Sequence, residues 1–199
     1  MRNQKLSTKL TIAISLIAVV CVALLFVTAN HNMTTATRKS GMDIMQTSLE
    51  AKTKLIEEYV QHQEDMLISF SKAPCVEKLL KNPQNKSAQK EVQAYTESLY
   101  ASLKNWEGLY VGEWNTHVIA HSNPEVIGMT TRKGDGLKAL QDAMTKENGL
   151  YNAGIIVSPA SQKLTLSMYC PVFDSTNGKI LGYVGGGPFV NRLMMRLEK

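Results

Sequence analysis

The stretch YVGEWNTHVIAHSNPEVIGMTT, Tyr110 to Thr131, decides how this chain is read. YVGEWN and VIAHS have the alternation and β-branched content of strands, and Asn115 and Thr116 supply a turn between them. A polar loop beginning at His121, Ser122, Asn123 and Pro124 follows. The segment could serve as a catalytic loop, a metal site or the wall of a small-molecule pocket. Glu113, His117 and His121 stand four residues apart, which on a helix is a zinc spacing. On a strand His117 and His121 are about 13 Å apart at ~3.3 Å per residue, too far for one ion. A metal site is therefore not expected.

Working outward, the chain before Gly108 has helical periodicity and the chain after it mostly has strand periodicity. SAQKEVQAYTESLYASLKN reads as a helix whose apolar face is Val92, Tyr95, Leu99, Leu103 and Trp106, and APCVEKLLKNP as a shorter helix stopped before Pro83. Upstream, from about residue 32 to 71, no proline occurs. Met42, Leu49, Ile56 and Phe70 recur at seven-residue steps, interrupted by Gln63. This stripe predicts a long stalk helix, packed on its own domain, on a partner subunit, or on both at different heights. Downstream, GDGLKALQDAMTKENG reads as a helix capped by Asp135 and stopped by Gly149. LYNAGIIVSP, KLTLSMYCPVFD and KILGYVGGGPF read as three further strands. Five strands with helices gathered at one end and one inside give an α+β layout.

The run Leu10–Ala29 carries no charge, and about 20 such residues span a hydrocarbon core roughly 30 Å thick. It reads as one transmembrane helix. The alternative is a cleaved signal peptide, whose apolar core is normally only ~7–15 residues. Arg2, Lys5 and Lys9 precede the run and predict a cytoplasmic N-terminus. The division expected is 1–9 cytoplasmic, 10–29 transmembrane and 30–199 extracytoplasmic, giving a single-pass protein of the cell membrane. The formal net charge is +5, but with those three residues set aside 19 basic residues face 17 acidic ones. No basic patch with interleaved aromatics appears, so nucleic acid is not an expected partner. Cys21 lies in the apolar run. Cys75 and Cys170 lack paired metal spacing, leaving either one disulfide or two separate thiols.

Enzymatic signals are missing. Ser158 and Ser161 are not framed by a G-x-S-x-G elbow. Gly185, Gly186 and Gly187 are not followed by Lys-Ser or Lys-Thr, and read as close backbone packing in a sheet. Neither an enzyme nor a cofactor is expected.

VIAHSNPEVIG, with a strand ending in His, a nearby Pro and an apolar-Gly step, resembles the signature of the extracytoplasmic Cache sensor domains of bacterial chemoreceptors and related membrane sensors. CPVFDSTNGKILGYVGGG is similar to that family's paired last strands. The resemblance covers roughly Asn32 to Lys199. It implies a PAS-like antiparallel sheet beside a long N-terminal stalk helix, and a pocket over one sheet face with the loop after His121 as its wall. The implied function is small-molecule sensing and transmembrane signal input, above all for chemotaxis. Alternatives are the sensor region of a membrane histidine kinase or diguanylate cyclase, or a ligand-free tethered interaction domain. The implied partners are an amino acid, organic acid or amine, the membrane, and a second copy through the stalk. The chain stops at NRLMMRLEK, which reads as the start of a helix and suggests a fragment.

Candidate ligand-binding residues follow. Trp114 is a pocket wall or a core residue. His121 is a donor to a ligand carboxylate or a partner of its local backbone. Arg132, in the loop expected to form a lid, is a fork for an anion or a solvated charge. Tyr151, Asn152 and Tyr169 have polar tips that either face the pocket or are half buried in the sheet.

Overall fold

The computed structural model describes residues 2–158 and 161–197. Residues through Lys54 form one compact unit, and Leu55 onward forms a second. The described residues of the first unit are all helical. They are part of α1, Arg2–Ser71, which has no proline and a single glycine, Gly41. Its apolar residues from Leu10 to Val27 are exposed, and the helix is long and apolar enough to cross a membrane. Hydroxyls inside α1 bond back one turn, Thr28 to the Leu24 carbonyl and Thr47 to that of Asp43, so they do not break the helix.

The second unit begins with the last turns of α1, followed by α2 (Pro74–Lys81) and α3 (Lys86–Ser102). Pro74 opens α2, where its missing N–H costs nothing. Asn85 caps α3 by accepting from the Ser87 and Ala88 N–H groups. Five strands follow: β1 (Trp106–Glu113), β2 (Val118–His121), β3 (Tyr151–Val157), β4 (Leu164–Phe173) and β5 (Ile180–Pro188). α4 (Gly134–Glu147) lies between β2 and β3, and α5 (Asn191–Leu197) follows β5. The sheet is antiparallel throughout, in the order β2-β1-β5-β4-β3. This is the α+β, PAS-like arrangement expected.

One sheet face packs on helices. Leu67 and Phe70 of α1, Val76 and Leu79 of α2, and Val92 of α3 join Leu109, Val111, Met168, Val172 and Val184 in one buried core. Each such side chain contributes about 1.5–3 kcal/mol by leaving water. Gln63, which interrupts the apolar row of α1, is buried here and accepts the Trp106 indole N–H at 2.9 Å. Trp106 is therefore the first residue of β1, not the end of the α3 face. α3 stops at Ser102, and Asn105 turns the chain with φ +71°.

The free edge of β2 is covered from two sides. Gln93 of α3 accepts the His121 N–H and donates to its carbonyl, and Gln89 donates to the Ile119 carbonyl. From the other side the chain after β2 returns alongside it. Gly128 N–H donates to the Val118 carbonyl, Val118 N–H to Met129, and Thr131 N–H to Thr116. The expected lid is thus a pinned wall. An unpaired edge strand invites foreign strands, and both devices remove that hazard.

Two helix signals were misplaced. Lys133, not Asp135, is the N-cap of α4, and Asp135 sits in the first turn, where its charge complements the helix dipole. Asn148, left-handed at φ 47°, ends the helix one residue before Gly149. Cys75 and Cys170 are free thiols, and Cys170 donates to the Ser71 hydroxyl.

Candidate functional site

The opposite sheet face is lined by tyrosines. Strand alternation places Tyr110 of β1, Tyr183 of β5, Tyr169 and Ser167 of β4, and Tyr151 of β3 on it. α4 covers part of the face through the buried Leu140 and Met144, and Trp114 packs there too. Gln141 of α4 donates to the Trp114 carbonyl at 2.9 Å, fixing the helix to the β1 turn.

Glycines let the rings lie close to the sheet. Gly185 faces Tyr110 across β1 and β5, and Gly112 faces Tyr183. A Cβ on Gly185 would fall 2.5 Å from Cζ of Tyr110, and one on Gly112 would fall 2.7 Å from Cε1 of Tyr183. Gly108 likewise lies beneath the His121 ring. The His121 ring stacks on Tyr110 at 5.4 Å, Tyr110 meets Tyr183 edge-on at 6.0 Å, and Tyr169 lies 6.2 Å from both Tyr183 and Tyr151.

Arg132 reaches this cluster from the wall. Its Nη2 donates to the Tyr169 hydroxyl at 2.9 Å, and Ser167 donates to the same oxygen at 3.0 Å. Its backbone is clamped by Thr116, whose hydroxyl accepts the Arg132 N–H at 3.0 Å and donates to its carbonyl at 2.9 Å. Thr116 is fully buried with φ +67°, a costly conformation for a β-branched residue, and it holds because that hydroxyl is bonded on both sides. Among the described residues Arg132 has no acidic ion-pair partner.

Two of the hydroxyls are made harder to ionise. Burial raises Tyr110 well above the ordinary tyrosine value and pushes Tyr183 up to about 12. The Tyr183 hydroxyl is sealed from solvent and completes no hydrogen bond, although Thr131 comes close. His121 is held below the usual histidine value by burial, partly offset by the Glu107 carboxylate nearby. Its Nδ1 accepts the Asn123 N–H at 2.8 Å, so the neutral ring carries its proton on Nε2. The local-backbone role and a free donor thus coexist in one residue.

Of the six sequence candidates, Trp114, His121, Arg132, Tyr151 and Tyr169 come together on this face. Asn152 does not. It points through to the helices, where it donates to Glu64 of α1 at 2.7 Å. Tyr110, Tyr183 and Ser167 were not singled out from sequence. The available signal was the two-residue step linking Tyr110, Gly112 and Trp114, and the step linking Tyr183 and Gly185.

Comparison with solved structures fixes the fold. The chain superposes on the sensor domain of the V. cholerae histidine kinase DctB with TM-score 0.65 and 15% identity, covering 81% of this chain and 60% of that one. It matches the ligand-binding domain of the Campylobacter jejuni chemoreceptor Tlp3 in complex with L-norvaline at TM-score 0.60 and 16% identity, covering 76% and 59%. The E. coli DcuS sensor domain gives 0.51 and 17%, covering 70% and 94%. The fold is the one that these three domains share. The chain spans about 60% of the DctB and Tlp3 domains. No protein-family model matches it, and no curated protein matches it in sequence.

Proposed function

We propose that this chain is a membrane-anchored sensor module that binds a small molecule on its tyrosine face and passes the event to α1. The observation that carries the reading is Arg132, without an acidic partner among the described residues and turned into a cluster of four tyrosines beneath α4. Aromatic rings with a few polar groups that fix orientation are the lining a small-ligand site requires. The neighbours in fold are sensor domains, one of a histidine kinase and one of a chemoreceptor that binds L-norvaline. The fold therefore supports signal input without selecting among chemotaxis, kinase or cyclase outputs. Trp114, His121, Arg132, Tyr151 and Tyr169 are the proposed ligand contacts, with Tyr110, Tyr183 and Ser167 added. A second copy joined through α1 is part of the same reading.

A ligand shifts the signalling equilibrium only as far as it binds two states unequally. The test is thermal unfolding of the full chain in detergent across amino acids, carboxylates and amines. A ligand at 100 times its dissociation constant adds about 2.7 kcal/mol. A flat screen would sink the sensor reading in favour of a tethered interaction domain.

A further inference from the structure

The hairpin between β1 and β2 carries a residue that its turn does not favour. Glu113 N–H donates to the His117 carbonyl and Thr116 N–H to that of Glu113, both at 2.8 Å, so Trp114, Asn115 and Thr116 form a three-residue loop. The last residue of such a loop takes a left-handed conformation, which glycine enters freely. Here that residue is Thr116, at φ +67° and fully buried. A β-branched side chain is among the poorest choices for this conformation. The turn does not explain it, since a glycine would close the same loop and bury no hydroxyl.

What a glycine could not supply is the hydroxyl. A hydroxyl is both donor and acceptor, and this one takes both backbone groups of Arg132, its N–H at 3.0 Å and its carbonyl at 2.9 Å. Just before Arg132 the wall is joined to the hairpin through backbone, by the His117–Thr130 bridge and by Thr131 N–H, which donates to the Thr116 carbonyl at 3.1 Å. Just after it the chain turns into α4, capped at Lys133. The Thr116 hydroxyl thus carries the attachment one residue further, to the residue whose side chain meets the tyrosine face. The Arg132 Cζ lies 5.5 Å from the centroid of the Tyr169 ring, and its Nη2 bonds the Tyr169 hydroxyl. An arginine side chain has many rotamers, so holding its backbone fixed narrows where the guanidinium can go.

We propose, resting on the sensor reading, that Thr116 is a positioning residue: its hydroxyl latches Arg132 to the hairpin and so holds the guanidinium at the tyrosine face. The experiment needs no ligand. Amide hydrogen exchange is followed in the full chain in detergent for Thr116→Ser, Thr116→Val and Thr116→Gly, with near-ultraviolet circular dichroism reading the tyrosine cluster. Serine keeps the hydroxyl and should leave the Arg132 amide as protected as in the parent. Valine keeps the shape without the hydroxyl. It should speed exchange at Arg132 at least tenfold and change the tyrosine signal, while Val111, paired on both sides in the sheet, stays protected. Glycine should loosen Arg132 as much as valine does, yet unfold at a higher temperature than the valine variant, because the loop accepts it without strain. A residue that served only the turn would give the reverse, with glycine the tightest of the three. Loosening by valine but not by glycine would therefore overturn the latch. So would a serine variant as loose as valine, or an unchanged tyrosine signal in every variant. Should the valine variant not fold, serine and glycine decide on the same terms. Failure of the latch leaves the sensor reading standing, whereas a flat metabolite screen removes the site, and with it the positioning role.

Discussion

A Cβ at Gly185 would fall 2.5 Å from both Cζ and the hydroxyl oxygen of Tyr110, so the ring sits where no side chain can be added. Gly185→Ala should therefore cost about 1–3 kcal/mol, as overpacking of a well-filled site does, and should displace Tyr110. Chemical denaturation reads the first effect and near-ultraviolet circular dichroism the second. Gly136 gives the opposite expectation. It lies in α4 with open space where a Cβ would go. Gly136→Ala should stabilise by about 0.5–1 kcal/mol, because alanine loses less backbone freedom on entering a helix. Equal effects of the two substitutions would show that the tyrosine ring does not rest on Gly185.

At the scale of elements, the strands were legible because their alternation is local. The pattern from Tyr110 to Thr131 already showed two strands and a turn. Register was less accessible. Nothing within KILGYVGGGPF says that Tyr183 opposes Gly112, since that follows from pairing between distant segments. Gln63 misled for a related reason. It read as a break in the apolar row of α1, whereas its partner is the Trp106 indole. Gln63→Leu should cost about 1–3 kcal/mol by leaving a buried N–H unsatisfied, and an unchanged denaturation midpoint would show that water replaces the amide. Asn152 falls on the helix side because successive strand residues point to opposite faces, so it cannot share a face with Tyr151.

The α2 helix is tied to the β4–β5 turn by charges. Glu77 accepts from the Ser175 N–H and hydroxyl and pairs with Lys81 at 2.8 Å, and Lys81 also reaches Asp174 at 2.9 Å. These bonds, the one from Lys81 foremost, hold Glu77 down to about 2 from an ordinary 4.5. The hydroxyl and N–H of Thr176, with Lys81, lower Asp174. A carboxylate whose folded pKa is depressed stabilises fully above its unfolded value and loses that contribution as pH falls through the folded one. The unfolding midpoint should therefore decline between pH 4.5 and about 2, and Glu77→Gln should remove part of the slope. A mutant whose pH profile parallels the parent's would show the pair to be solvated and idle, as many exposed ion pairs are.

At the scale of the molecule, the proposed anchor makes a claim about sides. The apolar part of α1 follows Arg2, Lys5 and Lys9, and basic residues near a span are retained in the cytoplasm. The hydrocarbon core excludes charged and strongly polar groups, and Leu10–Ala29 is the apolar part of the uncharged run that begins after Lys9, so the proposed crossing is placed there. The sensing unit would then face outward. The measurement is labelling by a membrane-impermeant maleimide in intact cells, with Cys21, Cys75 and Cys170 replaced by serine. A cysteine at the exposed Ser102 should label, and one at Asn3 should label only after lysis. In the same membranes a cysteine at Leu49, exposed on the seven-residue row of α1, should cross-link to a second copy on oxidation. Absence of that cross-link would remove the dimer alone. Labelling of Asn3 rather than Ser102 in intact cells would place the tyrosine face in the cytoplasm, and with it the premise that this chain reads the surroundings of the cell.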